Sequence, residues 1–222
     1  MSLCNLIVQD EAAYLVTDSA FFDETGQVLM HEPKSILIDG VPVVISAVGS
    51  GHILAKVHIA CLEVFAKQAF TLDRFKQVVK RVYERDGHNP AQEMTRWIAA
   101  YYSAELSRAF GCYFFTDPAD GEPEANAWRW YPKRAMILPY VEPVEVWGTD
   151  TTIDITKPEN FNPRADSMKF VQAQRKPTEW ASGRNGIGVG GEIRITKVSA
   201  KGVEEWKLHE FDDRVGEVIQ AR

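Results

Sequence analysis

The chain has 222 residues, 45% of them hydrophobic, with 25 Lys and Arg against 31 Asp and Glu and a formal charge of −6. That acidic balance argues against a dedicated nucleic-acid binder, whose phosphate contacts need a basic surface, and no apolar run approaches the roughly 20 residues of a membrane span. The length predicts one domain over residues 1–222 with a substantial core, and an N-terminus without a basic-plus-apolar leader predicts a soluble, cytoplasmic product.

Leu6-Ile7-Val8, the polar turn Gln9-Asp10-Glu11 and the run Ala12-Ala13-Tyr14-Leu15-Val16 predict a β-hairpin ending at Thr17-Asp18. A turn at Asp23-Glu24-Thr25-Gly26 precedes short strands at 27–30 and 33–38, and Asp39-Gly40 turns the chain into the β-branched run 41–48. Ile53, Leu54, Val57, Ala60, Cys61, Val64 and Phe65 recur at three- and four-residue steps, which predicts an amphipathic helix over 52–69. A second helix over 72–85, capped by Thr71, gathers Phe75, Val78, Val79 and Val82 on one face and stops at Asp86-Gly87-His88-Asn89-Pro90. The spacing of Met94, Trp97, Ile98, Tyr101, Tyr102 and Leu106 predicts a third helix over 90–110, closed by Gly111.

Strands are expected again at 112–116, 128–131 and 144–147, with a loop at 117–123, followed by a short helix at 165–174. The mixed aromatic and basic stretch Trp128-Arg129-Trp130-Tyr131 reads as an exposed or interface strand rather than a base-stacking surface. Gly186-Ile187-Gly188-Val189-Gly190-Gly191 lacks both the helix and the Lys-Ser/Thr pair of a phosphate loop, so Gly190-Gly191 predicts a tight bend or close packing. A last hairpin joins 192–198 to 205–211. Strands, helices, strands, a helix and strands in that order predict an α+β fold, a four-layer αββα sandwich of two antiparallel sheets flanked by helices.

Cys4, Cys61 and Cys112 have neither paired nor zinc-ligand spacing, which fits a reducing compartment and no structural metal. His52, His58 and His88 are too scattered along the chain to argue for a metal cluster or a Ser-His-Asp triad. No cofactor is implied.

Ser2, Asp18 and Lys34 stand at equal sixteen-residue intervals along the predicted hairpins. A small residue after Met1 permits removal of the initiator, and Ser2 would then own a free α-amine. With an ordinary pKa of about 7.7–8.0, that amine can take the proton from the hydroxyl of its own residue, so nucleophile and base reside together. A lysine ammonium beside them favours the unprotonated amine and stabilises an alkoxide, and a carboxylate holds the lysine. Taken singly, each of these residues reads as an ordinary surface residue; the strand context sets them apart.

On these residues the chain resembles the proteasome β-type branch of the N-terminal nucleophile hydrolases, including the bacterial ATP-dependent protease subunit of that fold. The resemblance implies the same sandwich, with Ser2 as nucleophile, Asp18 and Lys34 tuning it, and a homo-oligomer. It places an oxyanion donor in the Ala47-Val48-Gly49-Ser50-Gly51 turn, with Gly49 first and Ser50 or Gly51 as alternatives. Gly148-Thr149-Asp150 lies where the family has a turn supporting the terminal amine, which nominates Thr149 or Asp150 against a plain turn. Val189-Gly190-Gly191-Glu192 matches the Gly-Gly step into the last strands, and Ser182-Gly183-Arg184-Asn185-Gly186 stands where the family carries a supporting Asp and Ser.

Two alternatives stay open at this level. Cys4 would be the nucleophile if Met1-Ser2-Leu3 were an added leader before a native start, since it shares Ser2's strand parity and is intrinsically more nucleophilic. The chain could also be a catalytically inactive, proteasome-like scaffold or self-assembling binding subunit. The substrate is a peptide or a small amide, and whether a separate unfoldase feeds the protein is not written in the sequence.

Overall fold

The computed structural model describes residues 2–90, 95–117, 127–142, 146, 157–179 and 185–219. Residues 144, 145 and 147 of the expected strand, the 148–150 turn with Thr149 and Asp150, residues 118–123 of the expected loop, and 182–184 lie outside the described residues. Six strands open the chain: β1 (Cys4–Val8), β2 (Ala12–Thr17), β3 (Ala20–Phe22), β4 (Val28–His31), β5 (Ser35–Leu37) and β6 (Val43–Val48). Then come α1 (Gly51–Phe65), α2 (Leu72–Asp86), β7 (Arg96–Ser103), β8 (Arg108–Phe115), β9 (Tyr131–Pro132) and β10 (Ala135–Met136). The last elements are α3 (Pro163–Gln174), β11 (Pro177–Glu179), β12 (Asn185–Ile187), β13 (Glu192–Ser199) and β14 (Gly202–Glu210).

The result is a mixed α+β fold built on two antiparallel five-stranded sheets. One has the order β10-β1-β2-β13-β14 and the other β5-β6-β7-β8-β9, while β3–β4 and β11–β12 form two-stranded ribbons. The expected first hairpin is present in register, with Leu6 opposite Leu15 and Cys4 opposite Thr17.

The expected third helix is a correction: residues 91–94 lie outside the described residues, and from Arg96 on the stretch forms the β7–β8 hairpin, with Trp97 opposite Phe114 and Tyr101 opposite Phe110. The physical reason is burial on both faces of the strand. Trp97 and Ala99 point into a cluster with α1 and α2, whereas Ile98 and Ala100 join a cluster with Leu6 and Leu15 of the other sheet. A strand apolar on both sides has no polar alternation, and its aromatic residues then mimic a three-to-four-residue helical spacing. The expected strand at 128–131 is also shorter: Trp128 and Trp130 pack against the α1–α2 cluster and only Tyr131 enters β9.

Helix α1 ends at Phe65, short of the expected residue 69. Helix α2 is capped as expected, Thr71 accepting from the Arg74 amide and Gly87 closing the end at φ 67°. Asn162 caps α3 by accepting from the Arg164 and Ala165 amides, and Pro163 fills the first position, where a missing N–H costs nothing. Phe170 of α3 packs on Ile7 and Val171 on Val16 and Ile195. Each fully buried apolar side chain of this kind contributes about 1.5–3 kcal/mol. Among the described residues no helix is long and apolar enough to cross a membrane.

Candidate active site

The site forms where the two sheets meet. Asp18 directly follows β2 and Lys34 directly precedes β5, so each sheet supplies one member of the pair. Pairing of Cys4 with Thr17 runs the residues before β1 alongside Asp18, and the Leu3 amide donates to Asp18 Oδ1 at 2.9 Å. On the other sheet Ser46, opposite Ser35, donates its hydroxyl to the Lys34 carbonyl at 2.7 Å.

Lys34 Nζ donates to Asp18 Oδ1 at 2.8 Å and to Ser2 Oγ at 3.3 Å. The Lys34 and Asp18 side chains are 2% and 0% exposed. An ammonium so enclosed is expensive unless its donors are satisfied, and here a carboxylate, a hydroxyl and the faces of Phe21 and Phe22, 5.0 and 5.9 Å away, surround it. Burial holds the Lys34 pKa below the ordinary lysine value, with the Asp18 charge and hydrogen bond opposing the shift. Asp18 is held from three directions, because Oδ2 accepts from the Gly190 amide at 3.2 Å while Oδ1 serves Lys34 and Leu3.

Gly49 links β6 to α1 at φ 141°, a backbone setting that favours glycine. With Ser2, Ser50, Gly51 and His52 it lines a groove of about 1370 Å³. Ser50 stands at the N-cap of α1 without a side-chain capping bond, and its hydroxyl lies 2.7 Å from His52 Nδ1. The amides of a helix N-terminus favour negative charge, so this end of the groove suits an oxyanion. Gly51 serves packing: a Cβ there would stand 2.4 Å from Phe21 Cδ1.

Cys4 is fully buried in the cluster between the sheets. Burial pushes its thiol up to about 12, the Asp18 charge adding to the rise while Ser46 and Lys34 oppose it. Its amide is taken by the Leu138 carbonyl at 2.9 Å. Ser2, by contrast, is half-buried and faces the groove.

The structure therefore brings Ser2, Asp18 and Lys34 into hydrogen-bond contact and sets Gly49 in the same groove. Sequence reasoning missed the Gly190 amide on Asp18 and the Phe21–Phe22 lining of Lys34. The first spans 172 positions, and the only hint was the Gly-Gly pair itself. The histidines are less scattered in space than along the chain, since the rings of His52 and His88 are 5.1 Å apart. Among the described residues no group of three or more His, Cys, Asp or Glu is arranged to hold a metal ion.

No protein-family model matches the chain, and no curated protein matches it. The chemical reading of the site accordingly rests on its geometry.

Proposed function

We propose that this protein is an N-terminal nucleophile amidohydrolase that cleaves a peptide or small amide through an acyl-enzyme. The observation that carries the reading is the buried Lys34 ammonium bridging Ser2 Oγ and Asp18 Oδ1. Because Lys34 donates to Ser2 Oγ, the hydroxyl's own proton is left to pass elsewhere, and the α-amine freed by loss of Met1 is the nearest base by covalent connection.

In the proposed cycle Ser2 Oγ attacks the substrate carbonyl carbon and its proton passes to the α-amine. The carbonyl π pair moves to oxygen, where the Gly49 turn and the first amides of α1 receive the negative charge. Collapse breaks the C–N bond, and the α-amine hands its proton to the leaving nitrogen. Water then attacks the ester, gives a proton to the amine, and releases the acid as that proton returns to Ser2 Oγ. Lys34 stays protonated throughout, lowering the cost of the alkoxide, and Asp18 holds it in place.

The finer architecture belongs to the same proposal. One apolar cluster draws on both sheets, α1 and α2 pack on the outer face of β6–β7, and α3 packs against β1, β2 and β13. These contacts support a four-layer αββα sandwich. A homo-oligomer is also part of the proposal, and the exposed Ile59 and Leu62 of α1 are the apolar surface in its favour.

Treatment of the Met1-processed protein with an electrophile directed at N-terminal nucleophiles tests the reading. Covalent labelling at Ser2, lost in Ser2→Ala, is the expected result; modification only at other residues overturns it. If Ser2 is unlabelled while the protein still assembles into a stable oligomer, the scaffold alternative takes its place.

A further inference from the structure

We propose that the Arg175–Asp213 ion pair is a positioning element for the site, clamping the Gly190-Gly191 peptide against Asp18. This inference rests on the reading of Ser2, Asp18 and Lys34 given above, and it assigns work to residues that none of the sequence motifs singled out.

The contacts form one continuous path. Arg175, directly after α3, donates from Nη1 and Nη2 to the two carboxylate oxygens of Asp213 at 2.7 and 2.9 Å. The fork is bidentate, the arrangement that fixes orientation as well as charge. Nη1 also donates to the Val189 carbonyl at 2.8 Å, and the guanidinium lies 3.9 Å from the centre of the Phe211 ring. Asp213 Oδ2 in turn accepts from the Gly191 amide at 2.9 Å. The pair thus holds the chain on both sides of Gly190.

Gly190 then grips the residues around Asp18 in both directions. Its amide donates to Asp18 Oδ2, and its carbonyl accepts from the Ser19 and Ala20 amides at 3.3 and 3.2 Å. The Glu192 amide adds a bond to Ser19 Oγ at 2.8 Å. Packing leaves little slack, since a Cβ on Gly190 would meet Ile219 Cδ1 at 2.4 Å and Asp213 Oδ2 at 2.6 Å. Arg175 and Asp213 are 15% and 6% exposed, so water competes weakly for their bonds.

A buried ion pair by itself is weak grounds for stability. Its use here is geometric: one guanidinium and the two Asp213 oxygens fix the backbone on both sides of Gly190, whose amide donates to the carboxylate that holds Lys34. Small displacements of a positioned group cost rate out of proportion to their size.

Two readouts test the clamp without depending on turnover. In the unaltered protein, the amides of Leu3, Gly190 and Gly191 should exchange with solvent hydrogen in one opening event; Gly190 and Gly191 exchanging more than about tenfold faster than Leu3 overturns the proposal. In Asp213→Asn and Arg175→Met, the Lys34 side-chain titration followed by NMR should move to lower pH, with Arg175→Lys between them and the wild type and Lys197→Gln unchanged. A wild-type Lys34 titration in a folded Asp213→Asn protein also overturns it. Where the enzyme turns over substrate, kcat should fall about tenfold or more in Asp213→Asn with KM little changed. Absence of turnover in the wild type removes the amidohydrolase reading, and the exchange and titration results still decide the clamp.

Discussion

The Leu3 amide and the Lys34 ammonium donate to the same oxygen of Asp18, at 2.9 and 2.8 Å. The carboxylate that positions the lysine therefore also fixes the backbone carrying Ser2, and displacement of either donor is felt by the other. Sharing one acceptor ties the Leu3 backbone to the Asp18–Lys34 pair.

Removing one member of the buried pair should cost far more than removing both. Asp18→Ala leaves an uncompensated ammonium in a side chain that is 2% exposed, and a loss of about 3–5 kcal/mol is expected in urea denaturation. Lys34→Met combined with Asp18→Leu should recover at least half of that loss. Neither variant should label at Ser2, with labelling rates down at least about a hundredfold.

Among the described residues the Ser2 side chain takes one hydrogen bond, at 3.3 Å from Lys34. Ser2→Ala should therefore abolish labelling while changing stability by less than about 1 kcal/mol. Ser2→Cys should retain it. Intact-mass measurement of the mature N-terminus accompanies both, since the proposed chemistry requires loss of Met1.

The rate should be bell-shaped in pH. In the proposed cycle the terminal amine must lose its proton on the acid side and Lys34 must keep its own on the alkaline side, so activity should fall as pH rises through the Lys34 pKa. Burial sets that limb below the ordinary lysine value of 10.5. The stability sign follows separately: the folded pKa lies below the unfolded one, so the unfolded chain binds more protons between them and Lys34 contributes a rise in stability with pH in that window. Lys34→Met should remove that rise.

All three cysteines are buried and free, and burial raises each thiol from 9.0 to about 12. Native protein at pH 8 should react slowly with a thiol reagent, releasing its three equivalents only on unfolding. Because the unfolded thiols ionise first, their contribution to stability is complete below pH 9 and is lost as pH rises toward 12, by on the order of 1 kcal/mol per thiol per pH unit. Cys61→Ala, remote from the site, should flatten that slope by about a third in pH-dependent urea titrations.

Gly51→Ala probes the lining of Lys34. The added methyl would stand 2.4 Å from Phe21 Cδ1, so the ring must move off the ammonium it now covers at 5.0 Å. A loss of about 1–3 kcal/mol is expected from overpacking, with the Lys34 titration moving upward as water reaches it, measurable by NMR.

Local patterns made much of this molecule legible. The Leu6-Ile7-Val8 and 12–17 hairpin, the capped helix α2 and the final β13–β14 hairpin were readable because their signals lie within a few residues: turn formers, caps and one-sided apolar periodicity. The β7–β8 hairpin is not legible locally because Trp97 and Ile98 are buried on opposite faces of one strand, and that double burial is a property of the packed sheets. The proximity of Ser2, Asp18 and Lys34 is foreshadowed by their equal spacing, since strand parity and residue type are both written in the chain.

What tertiary structure alone decided is which of those groups touch. The 3.3 Å approach of Lys34 to Ser2, the enclosure of the Cys4 thiol, and the hold of Gly190 on Asp18 from 172 residues away arise where two sheets and the end of α3 converge. Sequence carries periodicity and chemistry along one dimension. Desolvation and hydrogen-bond geometry, which set the charge state and aim of these side chains, exist only after distant segments have closed around them.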